Sequence, residues 1–382
     1  MKRPVCMLLL CALLLCVPCA AEEAATTLSG ISAPSAVLMH PSGQVLFEKN
    51  AHQPLPPASV TKIMTLLLAM EALDEGIIAL DDIVTASPHA CSMGGSQVWL
   101  KEGERLTVDE MIKCIAVASA NDCAVALAEH IAGSEETFVA QMNARAAELG
   151  MADTHFVNCC GLDAEGHVTT AYDIALMSAE LIRHEKIFDY TTIWQDSIRD
   201  GAFTLTNTNK MIRSYDGLTG LKTGSTSIAG FCLSATASRN GLDLIAVVLK
   251  EETTGIRSAD VAAMLNYGFA TYASVVPTPD QPLMPIPVLL GTQNEVPVAL
   301  GEVQPIVLEK ARLSGVEKLI ELEEELRAPV EAGQQVGCMT VMAGDEMLQQ
   351  IPIVAAEDVP ALGVWGIFGR MMRFACMRGT EK

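Results

Sequence analysis

Pro56-Pro57-Ala58-Ser59-Val60-Thr61-Lys62-Ile63-Met64-Thr65, continuing as Leu66-Leu67-Leu68-Ala69-Met70-Glu71-Ala72-Leu73, is the stretch on which the fold turns. Two prolines are excluded from a helix interior but can lead into one. The run after them lacks Gly and Pro and is rich in Leu, Met and Ala, strong helix formers. Ser59 is therefore expected at or just inside the first turn of a mostly buried helix. Lys62, three residues on, shares its face. Unpaired backbone N–H groups and the positive end of the helix dipole gather there, so an anion is welcome and a second cation is not. A lysine so placed should lose its proton more easily and could act as a base toward Ser59. On its own Ser-x-x-Lys says little, because an N-capping serine on a solvated helix is the commoner arrangement.

Residues 1–21 have the form of a secretory signal peptide. Lys2 and Arg3 are its positive start, Met7 to Val17 its apolar core, and Ala20-Ala21 the small residues before a cut. A lipoprotein cysteine at Cys16 or Cys19 is the weaker alternative, since small residues do not precede either one. The 361 residues left after the cut are enough for one large domain and a smaller one. Their 46 acidic and 23 basic side chains give a charge of -23, which argues against a nucleic-acid partner and for an exported, soluble surface. Eight cysteines remain, and the chain is too long to need a disulfide framework; most are expected as small buried apolar side chains. The adjacent Cys159-Cys160 has no explanation in the sequence. The seven histidines show no paired ligand spacing, so neither a metal nor any other cofactor is expected.

Along the chain, Ser35 to His40 and Gln44 to Lys49 flank Pro41-Ser42-Gly43 as a hairpin. Asp81 to Val84 and Val98 to Arg105 read as short strands or loops. Thr107 with Glu110 forms a capping box opening a helix to Ser119, and further helices are expected at Asp122–Ile131, Ser134–Leu149 and Thr170–His184. Leu218 to Gly224 begins a β region, and Phe231–Ala237 and Leu242–Leu249 are strands joined by Arg239-Asn240-Gly241. Gly255 to Tyr272 closes the unit as a helix. Pro277, Pro279, Pro282, Pro285 and Pro287 mark a boundary, beyond which residues 288 to 358 suggest a small β-domain. Within it, Val316 to Leu326 has a helical composition but partly alternates, and is read as strand. From Ala361 to Cys376 a basic amphipathic helix places Val364, Ile367, Phe368, Met371, Met372, Phe374 and Ala375 on one face, with Arg370 and Arg373 opposite. It is too charged and short to span a bilayer but suited to lie in its surface.

Two further motifs give the Ser-x-x-Lys pair its weight. Ser119-Ala120-Asn121 falls at a break between helices 57 residues beyond Lys62, and Lys222-Thr223-Gly224 opens a strand about 100 residues later. In this order and context the three sets resemble the penicillin-recognising serine enzymes. The resemblance is to the low-molecular-mass penicillin-binding proteins, the serine D-alanyl-D-alanine carboxypeptidases. It extends over Pro57 to Met64, Ser119 to Asp122 with Ala126 to Glu129, Asp216 to Gly224, Asn266 to Phe269, Ala328 to Gly337 and the C-terminus, nearly the whole mature chain. It implies an α/β catalytic domain, an antiparallel sheet flanked by helices, over residues 22–275. A small all-β domain over 276–358 and an amphipathic membrane-anchoring helix over 359–382 would follow.

The resemblance also implies roles. Ser59 would be the nucleophile and Lys62 its base, with Lys222 helping to keep Lys62 neutral. Ser119 would relay the proton to the leaving amine, and Asn121 would hold the substrate backbone. The backbone N–H groups of Ser59 and Ser225 would form the oxyanion hole, and Thr223 and Arg257 would meet the substrate carboxylate. By spacing alone, Arg257 is a solvated helix residue. The implied partners are a peptidoglycan pentapeptide ending in D-Ala-D-Ala, β-lactams, and a membrane surface on the outer face of the cytoplasmic membrane. Two positions depart from the family pattern: Ser225 stands where some relatives carry His, and Cys159-Cys160 where a Pro-containing pair is common. A class A β-lactamase is disfavoured because no Glu-x-x-Leu-Asn run follows Ser119-x-Asn121. A D,D-endopeptidase acting on cross-links, or a non-catalytic wall-binding protein that kept the fold, remain the alternatives.

Overall fold

The computed structural model describes residues 28–377, with side chains to residue 372. The expected signal peptide, residues 1–21, lies outside the described residues.

Ser35–Met39 and Val45–Lys49 pair as the expected hairpin, with Ala36 opposite Lys49. They form one edge of a five-stranded antiparallel sheet that continues through Leu242–Glu251, Gly230–Arg239 and Leu218–Thr226. Alternation along the strands divides this sheet between two cores. Val37, Met39, Ile245, Val247 and Leu249 face a large helical core, while Ala36, Leu38, Leu244, Ala246 and Val248 face Val261, Met264 and Leu265 of the helix Thr254–Thr271. At the Arg239-Asn240-Gly241 turn, Asn240 and Gly241 have φ of 52° and 76°, the paired positive values a tight hairpin needs.

The helical layer holds the opening helix (Lys62–Asp74) and the helices Val108–Ala118, Asn121–Ala132, Glu135–Glu148 and Ala171–Leu181. The capping box at Thr107 is complete: its hydroxyl accepts from Glu110 N at 3.2 Å, and the Glu110 carboxylate accepts from Thr107 N at 2.9 Å. Of the two stretches expected as short strands or loops, the first gives the strand Ile83–Thr85, which pairs with Arg105–Thr107, while residues 98–104 are loop.

The final helix of this unit ends at Thr271, and Tyr272–Val275 is a strand that the sequence reading lacked. It pairs with Ile306–Glu309, so a two-stranded ladder bridges the proline-rich connection. Beyond it lies an all-β unit with a four-stranded and a three-stranded sheet around Val288, Val336, Met339, Val341, Ile351 and Ile353. Val316–Leu322 is a strand, paired over seven positions with Gln335–Ala343 despite its Glu, Lys and Leu content. Cross-strand pairing here overrides helix propensity.

The tail helix runs Val364–Met377, and Arg370 donates to the Gly291 carbonyl at 3.0 Å, tethering it to the β unit. Val364, Phe368, Met371 and Met372 are exposed, as is Trp365 at 86%, while Ile367 is half-buried. Phe374 and Ala375, expected on the same face, lie outside the described side chains. Among the described residues no helix is long and apolar enough to cross a membrane.

Candidate active site

Ala58–Thr61 form a 3-10 turn that runs straight into the opening helix, so Ser59 sits one turn before the α-helix proper. Ala58 is held at φ +49°, a left-handed conformation that a non-glycine residue adopts only when its surroundings enforce it. Two close approaches enforce it. A Cβ on Gly161 would lie 1.9 Å from the Ala58 carbonyl oxygen, and one on Gly224 would lie 2.7 Å from Pro57 O and 3.0 Å from Ser59 N. The serine turn is thus clasped between the loop at Gly161 and the strand carrying Lys222-Thr223-Gly224.

Lys62 is fully buried, and its ammonium has three acceptors: Ser59 Oγ at 3.0 Å, Asn121 Oδ1 at 2.5 Å and the Cys160 carbonyl at 2.6 Å. Burial lowers its pKa to about 8, with Cys160, Cys159 and Asp122 opposing. The cause is desolvation of the charged form. A neutral lysine amine has two N–H groups and one lone pair. The two carbonyl oxygens would take the N–H groups, leaving the lone pair aimed at Ser59.

The Cys160 carbonyl is presented by a loop that Asn158 folds: its Oδ1 accepts from Gly161 N at 2.7 Å and Leu162 N at 3.1 Å. Thr65, one turn beyond Lys62, donates to the Cys159 carbonyl at 2.5 Å. The unexplained cysteine pair thus contributes backbone, while both thiols are buried and, among the described residues, free. Nearby, His167 Nδ1 accepts from Val157 N at 3.0 Å, so Nε2 carries the proton and donates to Thr61 Oγ1 at 2.8 Å. Burial holds this histidine neutral, with a pKa lowered to about 4.

Ser119 ends the helix Val108–Ala118 in a left-handed conformation (φ 61°), and Asn121 starts the next, so both are buried at the break foreseen from the sequence. Both ends of the Asn121 amide are engaged within the protein, because Nδ2 donates to Gly94 O at 2.6 Å. Asp122, fully buried, accepts from Val98 N at 3.2 Å and Leu100 N at 3.0 Å, fixing the loop beside Asn121.

Lys222 is buried and donates to its neighbour's carbonyl, Thr223 O, at 3.0 Å. Its pKa falls well below the ordinary lysine value through burial first, then through the charges of Lys62 and Arg257. Thr223 Oγ1 donates to Thr208 Oγ1 at 2.7 Å, and Thr208 N donates to Val117 O at 3.1 Å. Thr208, absent from the sequence reading, therefore links the strand of Lys222 to the helix end that carries Ser119.

Arg257 is not a solvated helix residue. It is 5% exposed, its Nη1 makes one long bond of 3.4 Å to Cys232 O, and its Nε has no partner among the described residues. Burial depresses its pKa. Ser225, next to Gly224, is exposed at the strand end, beside the serine turn. Ser59, Lys62, Asn121 and Cys160 thus form one contact group. Lys222 and Thr223 stand on the strand whose Gly224 packs on the serine turn, and Gly224 pairs with Cys232, whose carbonyl Arg257 reaches. Among the described residues no cluster could hold a metal ion.

Residues 21–253 match the D-alanyl-D-alanine carboxypeptidase family. This chain belongs to that family. Residues 277–361 match a second description, the C-terminal domain of penicillin-binding protein 5. Arg257 falls between the two matched stretches. Among similar family members, D-alanyl-D-alanine carboxypeptidase DacF of Bacillus subtilis is 42% identical over 346 residues, 89% of each chain. Penicillin-binding protein 5 of Haemophilus influenzae, a solved structure, superposes with a TM-score of 0.73 at 29% identity, covering 87% of this chain and 98% of its own. Penicillin-binding protein D2 of Listeria monocytogenes, solved with ampicillin bound, superposes over 63% of this chain and 98% of its own, at 32% identity and a TM-score of 0.58.

Proposed function

We propose that this chain is an exported serine D-alanyl-D-alanine carboxypeptidase that removes the terminal D-alanine from peptidoglycan stem pentapeptides and is acylated by penicillin. The observation that carries this reading is the Lys62 amine, 3.0 Å from Ser59 Oγ, with its other two directions filled by carbonyl oxygens. At neutral pH a lysine with a pKa near 8 is about one-tenth neutral, far more than an ordinary lysine.

Ser59 Oγ attacks the carbonyl of the penultimate D-alanine while its proton passes to Lys62 Nζ. The Ser59 and Ser225 backbone N–H groups meet the oxyanion. Collapse breaks the C–N bond, and the proton reaches the departing amine through Ser119, leaving an ester on Ser59 that water hydrolyses. Asn121 holds Lys62 through Oδ1 and spends one Nδ2 proton on the Gly94 carbonyl, which leaves its second N–H to orient the peptide edge. The terminal carboxylate is read by Thr223 and Arg257 beside Lys222, and its negative charge favours the protonated form of Lys222. A charged Lys222 in turn disfavours charge on Lys62. Substrate binding therefore helps to free the base.

In this reading residues 22–275 are the catalytic domain and 276–358 a β-domain. Residues 359–382 anchor the enzyme to the outer face of the cytoplasmic membrane. The exposed Trp365, Phe368 and Met371 support the last point. The test is incubation with a diacyl peptide ending in D-Ala-D-Ala. Free D-alanine is expected from the wild type and not from Ser59→Ala, and no release from either ends the carboxypeptidase reading.

A further inference from the structure

Trp99 is 65% exposed although it is one of only three tryptophans in the chain, and its backbone is left-handed at φ +56°. That conformation is unfavourable for a bulky residue and persists only where the surroundings over-determine it. Here the buried Asp122 carboxylate takes the N–H groups on either side, Val98 and Leu100. Across from it Arg199 and Asp200 are also left-handed, at φ 57° and 53°. Arg199 is fixed by Glu104 at 2.6 Å and Val98 O at 2.9 Å, with its guanidinium 5.2 Å from the Phe203 ring centroid. Phe203 meets Trp99 edge to face, with centroids 5.9 Å apart.

Strain and a buried carboxylate are thus used to hold an indole in water. Between these residues lies a cleft of about 690 Å³, with Lys101 and Glu102 on its rim. Both rim residues are exposed, and neither makes an ion pair among the described residues. An aromatic floor with unpaired polar groups at the edge suits a ring with one apolar face and a hydroxyl- and amide-bearing rim. A wholly apolar partner would have to strip water from Lys101 and Glu102 without replacing it, and the net charge of -21 disfavours a polyanion.

The segment that carries the cleft's Val98 and Trp99 runs on from the catalytic group: the Ser96 carbonyl accepts from Asn121 N at 2.7 Å and the Gly94 carbonyl from Asn121 Nδ2 at 2.6 Å, and Asn121 in turn holds Lys62. A five-residue stem peptide reaches at most about 17 Å, so what carries the peptide lies close to the nucleophile. We propose that the Trp99–Phe203 cleft is a subsite for the glycan that bears the stem peptide, with an N-acetylated amino-sugar ring stacked on Trp99. This rests on the carboxypeptidase reading for its biological substrate, but not for its physical test.

Two measurements decide it. The wild type should release D-alanine from a disaccharide-linked pentapeptide with a kcat/KM roughly five- to tenfold above that for the bare pentapeptide, the scale of one aromatic stacking contact. Trp99→Asn, whose side chain tolerates the left-handed backbone, should bring that ratio close to one, and Trp99→Phe should keep part of it. Separately, tri-N-acetylchitotriose should quench wild-type tryptophan fluorescence saturably, and this quenching should vanish in Trp99→Asn. A wild-type ratio of one, a ratio unchanged in Trp99→Asn, or the absence of Trp99-dependent quenching each overturns the proposal. If neither peptide yields D-alanine, the carboxypeptidase reading fails while the quenching titration still decides the glycan site.

Discussion

Replacing Arg257 with methionine should make the protein more stable and the enzyme worse. Among the described residues Arg257, 5% exposed, makes a single long hydrogen bond, to Cys232 O, and leaves Nε unpartnered. A buried cation so poorly matched is a net cost to folding, and apolar replacements of buried charged groups often stabilise by about 1–4 kcal/mol. In a domain of this size each kcal/mol shifts Tm by roughly 2–4 °C, so an upward shift of several degrees is expected by circular dichroism at neutral pH. The substrate should report the opposite. A charge-assisted hydrogen bond to the terminal carboxylate contributes about 1.5–3 kcal/mol, so kcat/KM should fall on the order of ten- to a hundredfold for the free-acid peptide. A peptide amidated at the terminal D-alanine should be cleaved poorly by the wild type, and the variant should treat acid and amide about equally. A drop in Tm together with an equal loss on both peptides would refute this reasoning and make Arg257 a structural residue.

Acylation by penicillin should rise with pH and level off above about 8, because Lys62 must be neutral to accept the Ser59 proton and burial lowers its pKa to that value. A rate constant that stays flat between pH 6 and 9 removes Lys62 as the base. Intact-mass analysis should show one penicilloyl group on the wild type and none on Ser59→Ala; labelling of the folded alanine variant would move the nucleophile elsewhere. Deleting residues from Ala361 onward should release the enzyme from anionic vesicles and leave peptide cleavage intact, whereas continued sedimentation with vesicles would make the tail helix a part of the β-domain.

Much of the site could be read from the chain because its parts are local. Ser59 and Lys62 lie within one turn, the Thr107 capping box and the Asn240-Gly241 turn are short-range patterns, and Ser119 and Asn121 sit where a helical run breaks. What could not be read is what packing supplies. The Cys160 carbonyl is a backbone atom, and only the fold of the Asn158 loop points it at Lys62. Thr208 is one polar residue in a polar stretch, with nothing in its neighbours to mark it as a bridge. Arg257 carries the signature of a surface helix residue, and its burial depends on the Cys232 strand beneath it. Tyr272–Val275 joins a ladder whose partner, Ile306–Glu309, lies over thirty residues away. Trp99 gave no sign that it would stand in solvent.

The Thr208 bridge has a mechanical consequence. The nucleophile, its base and both carbonyl clamps belong to the helical half of the cleft, while the groups expected to read the carboxylate belong to the sheet half. Two links described above span that seam, the packing of Gly224 on the serine turn and the Thr223–Thr208 hydroxyl pair. A loosened seam would leave Ser59 and Lys62 in contact with each other, yet would shift Lys222, the Ser225 N–H and the ruler that measures the end of the peptide, all of them on the far side. Drift at this joint would produce a slow, indiscriminate acyl-enzyme, so selection for fidelity should act on the joint as strongly as on the reacting atoms.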